Sequence, residues 1–492
     1  MAEEKIRDKD LLSVQRARTL IQRANKAYQA FKDFSQEDVD KIIASMVEAG
    51  RDAARRLAEL AVKETDYGNV EDKVVKNIFS IDNVYDSIKD LKTAGVINRD
   101  LEKKIIEIAH PMGVVVALTP TTNPTSTVIF KALISVKSRN AVIFSPHPNA
   151  VQCSFEAAAV LSNAAVAAGA PEGLISCLDV ITLEGTRELM ASRDTSIILA
   201  TGGLAMVKAA HSYGKPAIGV GPGNTPAFVD KSADLEKAAK DIVASKAFDY
   251  GVICASEQAI VVEKSVDERF RDIFKANGAH FLNEQEITKM GSILIKNKGM
   301  NPVMVGKSPK YLADKAGISI PEGTKLLVAP LKGVGPDYPI SREILSPIVA
   351  YYTGDSWEGC CKICLQVIEF GGVGHTLVIH SRDEEAITAF AHQKPVFRIL
   401  INTPASQGAV GLSTSLLPSM TLSTGTWGGG ISSDNISAKH LLNIKRVAYE
   451  TNPVNPPADK DGRSAGMVKS NNTTSEKDIE GIVRKVVDEI YK

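Results

Sequence analysis

Between about residue 105 and residue 211, short apolar runs alternate with helical patterns, and no other feature narrows the fold as far. Gly113 to Leu118 reads as a strand, and Pro124 suits the first turn of the next helix, where a missing N–H is harmless. Ala141 to Phe144 reads as a second strand, followed by an alanine-rich helix ending near Gly169. Leu174 to Val180, a helix near Gly185 to Ala191, Ser196 to Ala200, and a helix from Leu204 to His211 continue the pattern. Strands that alternate with helices call for a parallel, doubly wound sheet. Such sheets bind ligands at the carboxyl ends of their strands.

The flanks read differently. Val14, Ala17, Ile21, Ala24, Tyr28 and Phe31 recur at helical spacing. Ser35 with Asp38 resembles a capping box opening a second helix, with Gly68 and Asn69 as its stop. After Tyr250 a second α/β pattern begins, with strands at Ala259 to Val262, Lys325 to Val328 and Ile348 to Tyr352. The resulting division is 1–247, 248–425, a returning segment 426–450, a linker rich in Pro, Asn, Ser and Gly at 451–474, and 475–492. In the last segment Ser475 and Asp478 fit a capping box, and Ile479, Ile482, Val483, Val486 and Ile490 share one helical face. So short a helix is marginal alone and buries that face either on a partner or back on its own protein.

Charge and cysteine content exclude several classes of function. Lys+Arg and Asp+Glu both total 58, so no global basic field collects nucleic acid or anionic lipid. The amino-terminal MAEEKIRDKD lacks a signal peptide's apolar core, and the longest apolar stretch, AAAVLSNAAVAAGA, is broken by Ser162 and Asn163. Six cysteines in 492 residues form no disulfide framework, which points to a reducing, cytoplasmic setting. CCKIC, residues 360–364, supplies Cys361 and Cys364 as one CxxC pair; a closed zinc site wants two pairs, so no metal is expected.

Four stretches carry chemistry. Cys254 lies in FDYGVICASEQ between a glycine turn and an apolar run; alone it reads as a packed thiol. TGGLAMV sits between a strand and a helix, where Gly202 and Gly203 let backbone approach a phosphate, or simply form a tight turn. GVGPGNTP is a second glycine cluster. In TPTTNP, Asn123 is able to offer an amide to a developing oxyanion, or to make an Asx turn. His375, in GGVGHT, reads as structural.

Together these stretches resemble the aldehyde dehydrogenase superfamily, within it the CoA-acylating branch of acetaldehyde and propionaldehyde dehydrogenases and the aldehyde dehydrogenase half of bifunctional alcohol/aldehyde enzymes. TPTTNPTSTVIFKALISVKSRNAVIFSPHP, GKPAIGVGPGNTP, FDYGVICASEQ and REILSPI occur in order and at family spacing, and the likeness runs from about residue 10 to 450. The resemblance implies an α/β, aldehyde dehydrogenase-like fold: a doubly wound Rossmann-type cofactor domain plus a second α/β catalytic domain. It makes Cys254 the nucleophile, with Asn123 and the Cys254 N–H as the oxyanion hole. It places Leu118, Thr119, Pro120, Thr121, Thr122 and Asn123 beside the nicotinamide, and Thr201, Gly202, Gly203 and Gly221 around the dinucleotide. It puts Glu343 on the nicotinamide ribose and Trp427 as a closing residue.

Two departures from the hydrolytic branch matter. Val220 stands about where that branch has its general-base glutamate, so the thioester should resist water and wait for a CoA thiolate. Ser145 to Pro148 replaces that branch's ribose-binding lysine motif, which bears on NAD, the expected cofactor, against NADP. The resemblance thus implies a short-chain aldehyde, acetaldehyde before propionaldehyde, oxidised with NAD and coenzyme A by a homodimer or homotetramer. Residues 475–492 resemble an encapsulation peptide, implying a shell-protein partner and a bacterial microcompartment lumen. The alternatives are a hydrolytic enzyme making the acid, and a non-catalytic scaffold.

Overall fold

The computed structural model describes residues 8–454 apart from residue 298. Lys9–Phe31 opens on Asp8, whose carboxylate accepts from the Asp10 and Leu11 N–H groups. Gln36–Thr65 opens on Ser35, whose hydroxyl accepts from the Asp38 N–H at 3.1 Å. Only half the capping box forms, because the Asp38 carboxylate takes the Ser35 hydroxyl instead of a backbone N–H. The helix stops at Asp66, in the left-handed region at φ 58°, ahead of the expected Gly68 and Asn69. Asn69 caps the next helix, Val70–Ile78.

The alternating region folds as the pattern requires, into a five-stranded, fully parallel sheet. Across it run Ile175–Cys177, Ala141–Pro146, Val114–Thr119, Thr195–Thr201 and Ala217–Val220. Chain order starts at the centre, moves outward, then reverses, so a crevice opens beside the carboxyl ends of Val114–Thr119 and Thr195–Thr201. Ile175–Cys177 is shorter than expected from Leu174 to Val180; it is an edge strand with a neighbour on one side only. The long amino-terminal helices pack on this sheet in one apolar core with Val115, Ile143 and Ile198.

A second parallel sheet has seven strands, in the order Ala279–Phe281, Leu326–Pro330, Ile348–Gly354, Glu257–Glu263, Thr225–Val229, Gly374–His380 and Val396–Ile401. It takes up chain from Thr225 onward, ahead of the expected division at 247/248. The reason is packing: helix Leu235–Ala247 buries Ala238, Ala239, Ile242 and Val243 in this sheet's core. After the second sheet the chain returns: Ile436, Ala438 and Leu441 join the first core. Leu442–Ala448 then completes a three-stranded antiparallel sheet with Gly95–Asp100 and Ile105–Pro111.

Among the described residues one stretch, Pro148–Ala167, is long and apolar enough to cross a membrane. Its helix nonetheless lies against the first domain, with Cys153, Ala157, Ala158, Leu161 and Ala165 buried. Alanine-rich composition, which lets helix and sheet approach closely, accounts for the high hydropathy. The amphipathic segment 475–492 and nearly all of the linker lie outside the described residues.

Candidate active site

The two sheets meet across a cleft of about 650 Å³. One wall is the carboxyl edge of the five-stranded sheet, contributing Leu118 to Asn123, Ser145 to Asn149, Thr201 to Gly203, and Val220 with Gly221. The other wall is the amino edge of the seven-stranded sheet, where Cys254 stands in the turn before strand Glu257–Glu263. Every residue expected at the site lines this cleft except Trp427. That indole is 56% exposed and stacks on Phe397, with ring centroids 4.6 Å apart. Val410, Met420 and Leu422, between the edge strand Val396–Ile401 and Trp427, do line the cleft.

The loop carrying Cys254 is held under strain. Asp249, Tyr250 and Gly251 are all left-handed, at φ 49°, 52° and 74°. Two non-glycine residues in that region cost on the order of 1–3 kcal/mol each and persist only where surroundings enforce them. Here the Asp249 carboxylate does so: it takes the Asn69 N–H at 2.9 Å, Lys73 Nζ at 2.9 Å, and Lys76 Nζ. Gly223 lies directly behind the nucleophile. A Cβ there would come within 2.4 Å of the Cys254 carbonyl oxygen and 3.0 Å of the His375 ring.

Cys254 is partly exposed, unlike the other five cysteines, which are buried. Burial of the sulfur, then the nearby Glu343 carboxylate, push its thiol up to about 12, while Arg398 pulls it down. Glu343 accepts from the Gly223 N–H at 3.1 Å, and burial raises its carboxyl to about 7. Among the described cleft-lining residues Glu343 is the one carboxylate, and none is Lys or Arg. Val220 ends strand Ala217–Val220 and faces the same cleft, offering only methyl groups.

Three buried groups that the motifs do not assign to the site surround it. His375 bonds Thr376 Oγ1 through Nδ1 at 2.9 Å, while its Nε2 has no partner. Burial and Arg398 drive this imidazole down to about 3, so it is neutral. Arg398 sits inside strand Val396–Ile401 and donates to the His375 and Ser423 carbonyls and Asn435 Oδ1. Lys131 ties the Leu118 and Leu199 carbonyls together at 2.7 and 2.9 Å, pinning the two strands that flank the crevice. The signal available for the two cations is a charge inside an apolar run, VFRIL and VIFKAL. By contrast Cys360, Cys361 and Cys364 sit buried in helix Trp357–Gly371, where the Cys361 sulfur takes a hydrogen bond from Lys394.

The crevice fits a dinucleotide. Added Cβ atoms at Gly202, Gly203 and Gly221 would meet nothing within 4 Å, so these glycines leave open space and relieve no internal crowding. Helix Leu204–His211 begins at Gly203 with no side-chain cap, leaving its first N–H groups for an anion. Thr119 Oγ1, buried at the cleft wall, has no partner in the protein.

A thiol facing a dinucleotide crevice of this kind is the layout of a cysteine-dependent dehydrogenase. Residues 2–411 match the model of the aldehyde dehydrogenase family, and the chain belongs to that family. It is 44% identical over 434 residues to the bifunctional aldehyde-alcohol dehydrogenase AdhE of Escherichia coli K12, covering 87% of this chain and 49% of that protein. The chain thus spans about half the length of the curated relatives it first matches. An acetylating aldehyde dehydrogenase from Geobacillus thermoglucosidasius superposes with a TM-score of 0.90 at 49% identity, covering 90% of this chain and 98% of that one. A propionaldehyde dehydrogenase from the Clostridium phytofermentans fucose utilisation bacterial microcompartment superposes with a TM-score of 0.81 at 28% identity, covering 88% and 97%.

Proposed function

We propose that the protein is a CoA-acylating aldehyde dehydrogenase that converts acetaldehyde, and next propionaldehyde, to acyl-CoA with NAD. The observation that carries this reading is the cleft's composition: a thiol nucleophile and Val220 share it, with no carboxylate but Glu343 among the described lining residues. Cys254 attacks the aldehyde carbonyl, and the Asn123 amide and Cys254 N–H receive the oxyanion. The nicotinamide, when bound, accepts the hydride. Thr201, Gly202, Gly203 and Gly221 would surround the dinucleotide, and Glu343 would hold its nicotinamide ribose. The acyl group then rests on Cys254 as a thioester. Val220 activates no water, so the thioester persists until CoA takes the acyl group.

The absence of Lys and Arg among the described lining residues supports NAD over NADP, since a 2′-phosphate would find no cation there. The test follows NADH absorbance with reduced protein, acetaldehyde and NAD. With CoA, turnover is continuous; without CoA it stops after about one NADH per site. Continuous NADH without CoA would overturn the acylating reading, and equal kcat/KM with NADP would overturn the cofactor choice.

The tail at 475–492 serves, on the same proposal, as an address into a microcompartment lumen within the cytoplasm, and the enzyme works as a homodimer or homotetramer. The similarity to a microcompartment enzyme supports this. Deleting residues 451–492 should leave kcat/KM unchanged and abolish co-purification with shell proteins. Co-purification at the full level would sink the targeting role.

A further inference from the structure

Asn123 stands immediately before helix Pro124–Lys137, yet its side chain makes no capping bond to that helix. Its Oδ1 instead lies 2.6 Å from Lys76 Nζ, and its Nδ2 donates to Thr122 Oγ1 at 3.1 Å. An ammonium has donors and no acceptor, so the atom that meets Lys76 has to be the carbonyl oxygen. Lys76 therefore decides which way round the carboxamide sits.

Lys76 is itself held. It bonds the Asp249 Oδ2 that also takes Lys73 Nζ at 2.9 Å, and all three side chains are at most 4% exposed. Lys73 reaches on to the Thr122 carbonyl at 3.2 Å. Asp72 Oδ2 takes the Asp249 N–H at 2.7 Å and the Asn69 amide at 2.7 Å. One helix, Val70–Ile78, thus supplies a cation that touches both the asparagine of one cleft wall and the loop bearing the nucleophile of the other. Stability alone does not require this arrangement, because buried ion clusters are often replaceable by apolar side chains without loss.

We propose that Lys76 is a positioning residue: its ammonium, anchored on Asp249, fixes the Asn123 carboxamide with its oxygen turned inward and the amide N–H not taken by Thr122 left for the substrate oxyanion. The proposal rests on reading Asn123 as an oxyanion donor. Misorientation would aim a carbonyl oxygen at a developing negative charge, which removes the donor's contribution and adds repulsion.

A double-mutant cycle tests it on the full-length protein, with Asn123→Ala, Lys76→Met and the pair. Asn123→Ala should lower kcat by about 10² to 10³, the usual effect of losing one oxyanion donor. Lys76→Met should lower kcat at least about tenfold, with the KM for NAD unchanged and Cys254 alkylated by iodoacetamide at the wild-type rate. The double variant should be no slower than Asn123→Ala within about threefold, because groups acting as one unit are not additive. Losses that multiply, altered Cys254 alkylation, or a fully active Lys76→Met would overturn the role of Lys76 while leaving Asn123 in place. A fully active Asn123→Ala would instead overturn the oxyanion reading, and Lys76 with it. If Lys76→Met does not accumulate folded, Lys76→Gln takes its place in the cycle. Glutamine keeps a donor toward Asp249 but no longer dictates the amide's orientation, so the same results support or overturn the proposal.

Discussion

Cys254→Ser lowers acyl-CoA formation by at least about 10⁴-fold and leaves the fold intact. The magnitude follows from nucleophile chemistry: a hydroxyl ionises far less readily than a thiol, and loss of an activated nucleophile typically removes several orders of magnitude. The site makes the penalty severe. Burial and Glu343 already raise the thiol to about 12, so even sulfur reacts from a mostly protonated state in the free protein. An alcohol in the same place would ionise less still, and among the described cleft-lining residues Glu343 is the one carboxylate that could take its proton. Serine is smaller than cysteine and the site is partly exposed, so melting temperature should shift little. The measurement is stopped-flow NADH absorbance with acetaldehyde, NAD and CoA, together with mass spectrometry for an acyl adduct. A variant that retains a tenth of the wild-type rate would remove Cys254 from the mechanism.

Val220→Glu releases free carboxylic acid without CoA, at a rate about 10² above that of the wild-type protein. A positioned carboxylate base typically contributes about 10² to 10⁴ in rate. Val220 lines the same cleft as Cys254 and sits at the end of a strand, so the new side chain projects into space that a ligand or water can enter. The cost is desolvation. Glu343, partly buried in the same cleft, is raised to about 7 by desolvation, and a second carboxylate would be raised similarly and repelled by the first. Hydrolysis should therefore grow with pH through neutrality, as the base loses its proton, and CoA should compete with it. The readout is acetate formed per NADH with CoA absent. If the variant folds, binds NAD and still makes one NADH per site and no acid, the missing base is not what keeps water from the thioester.

The parts of the molecule that alternate or repeat are readable from sequence; the parts that depend on distant partners are not. Val114–Thr119 and helix Leu204–His211 follow from local apolar periodicity and from Pro124 and Gly203 as punctuation. The edge strand Ile175–Cys177 is shorter than its apolar run, because apolarity alone does not say that one side lacks a neighbour. The seven-stranded sheet takes in strand Thr225–Val229 and the helix Leu235–Ala247 packed on it, upstream of the expected division at 247/248, because sheet membership is set by pairing with Glu257–Glu263 and Gly374–His380 and not by local pattern. In the cleft, Cys254, Asn123 and Glu343 are legible through their motifs, and they do line one cavity. The roles of Lys73, Lys76, His375 and Arg398 are not, because each acquires meaning only from a contact such as Arg398 to the His375 carbonyl. Trp427 is expected at the cleft from its place in TGTWGGG, but its loop lies against Phe397 on the far strand.

The joint at Asp249 also constrains the order in which a newly made chain becomes reactive. Its two lysine partners lie 176 and 173 positions away in the sequence. Contacts so far apart form late, after local helices and nearby strand pairs. The left-handed turn ahead of Cys254 has no local reason to form before then. A ribosome-bound or half-folded chain therefore carries its future nucleophile on an unshaped loop, without an oriented amide opposite it. The turn before Cys254 and the amide of Asn123 thus take their shape together, when both sheets have closed on helix Val70–Ile78.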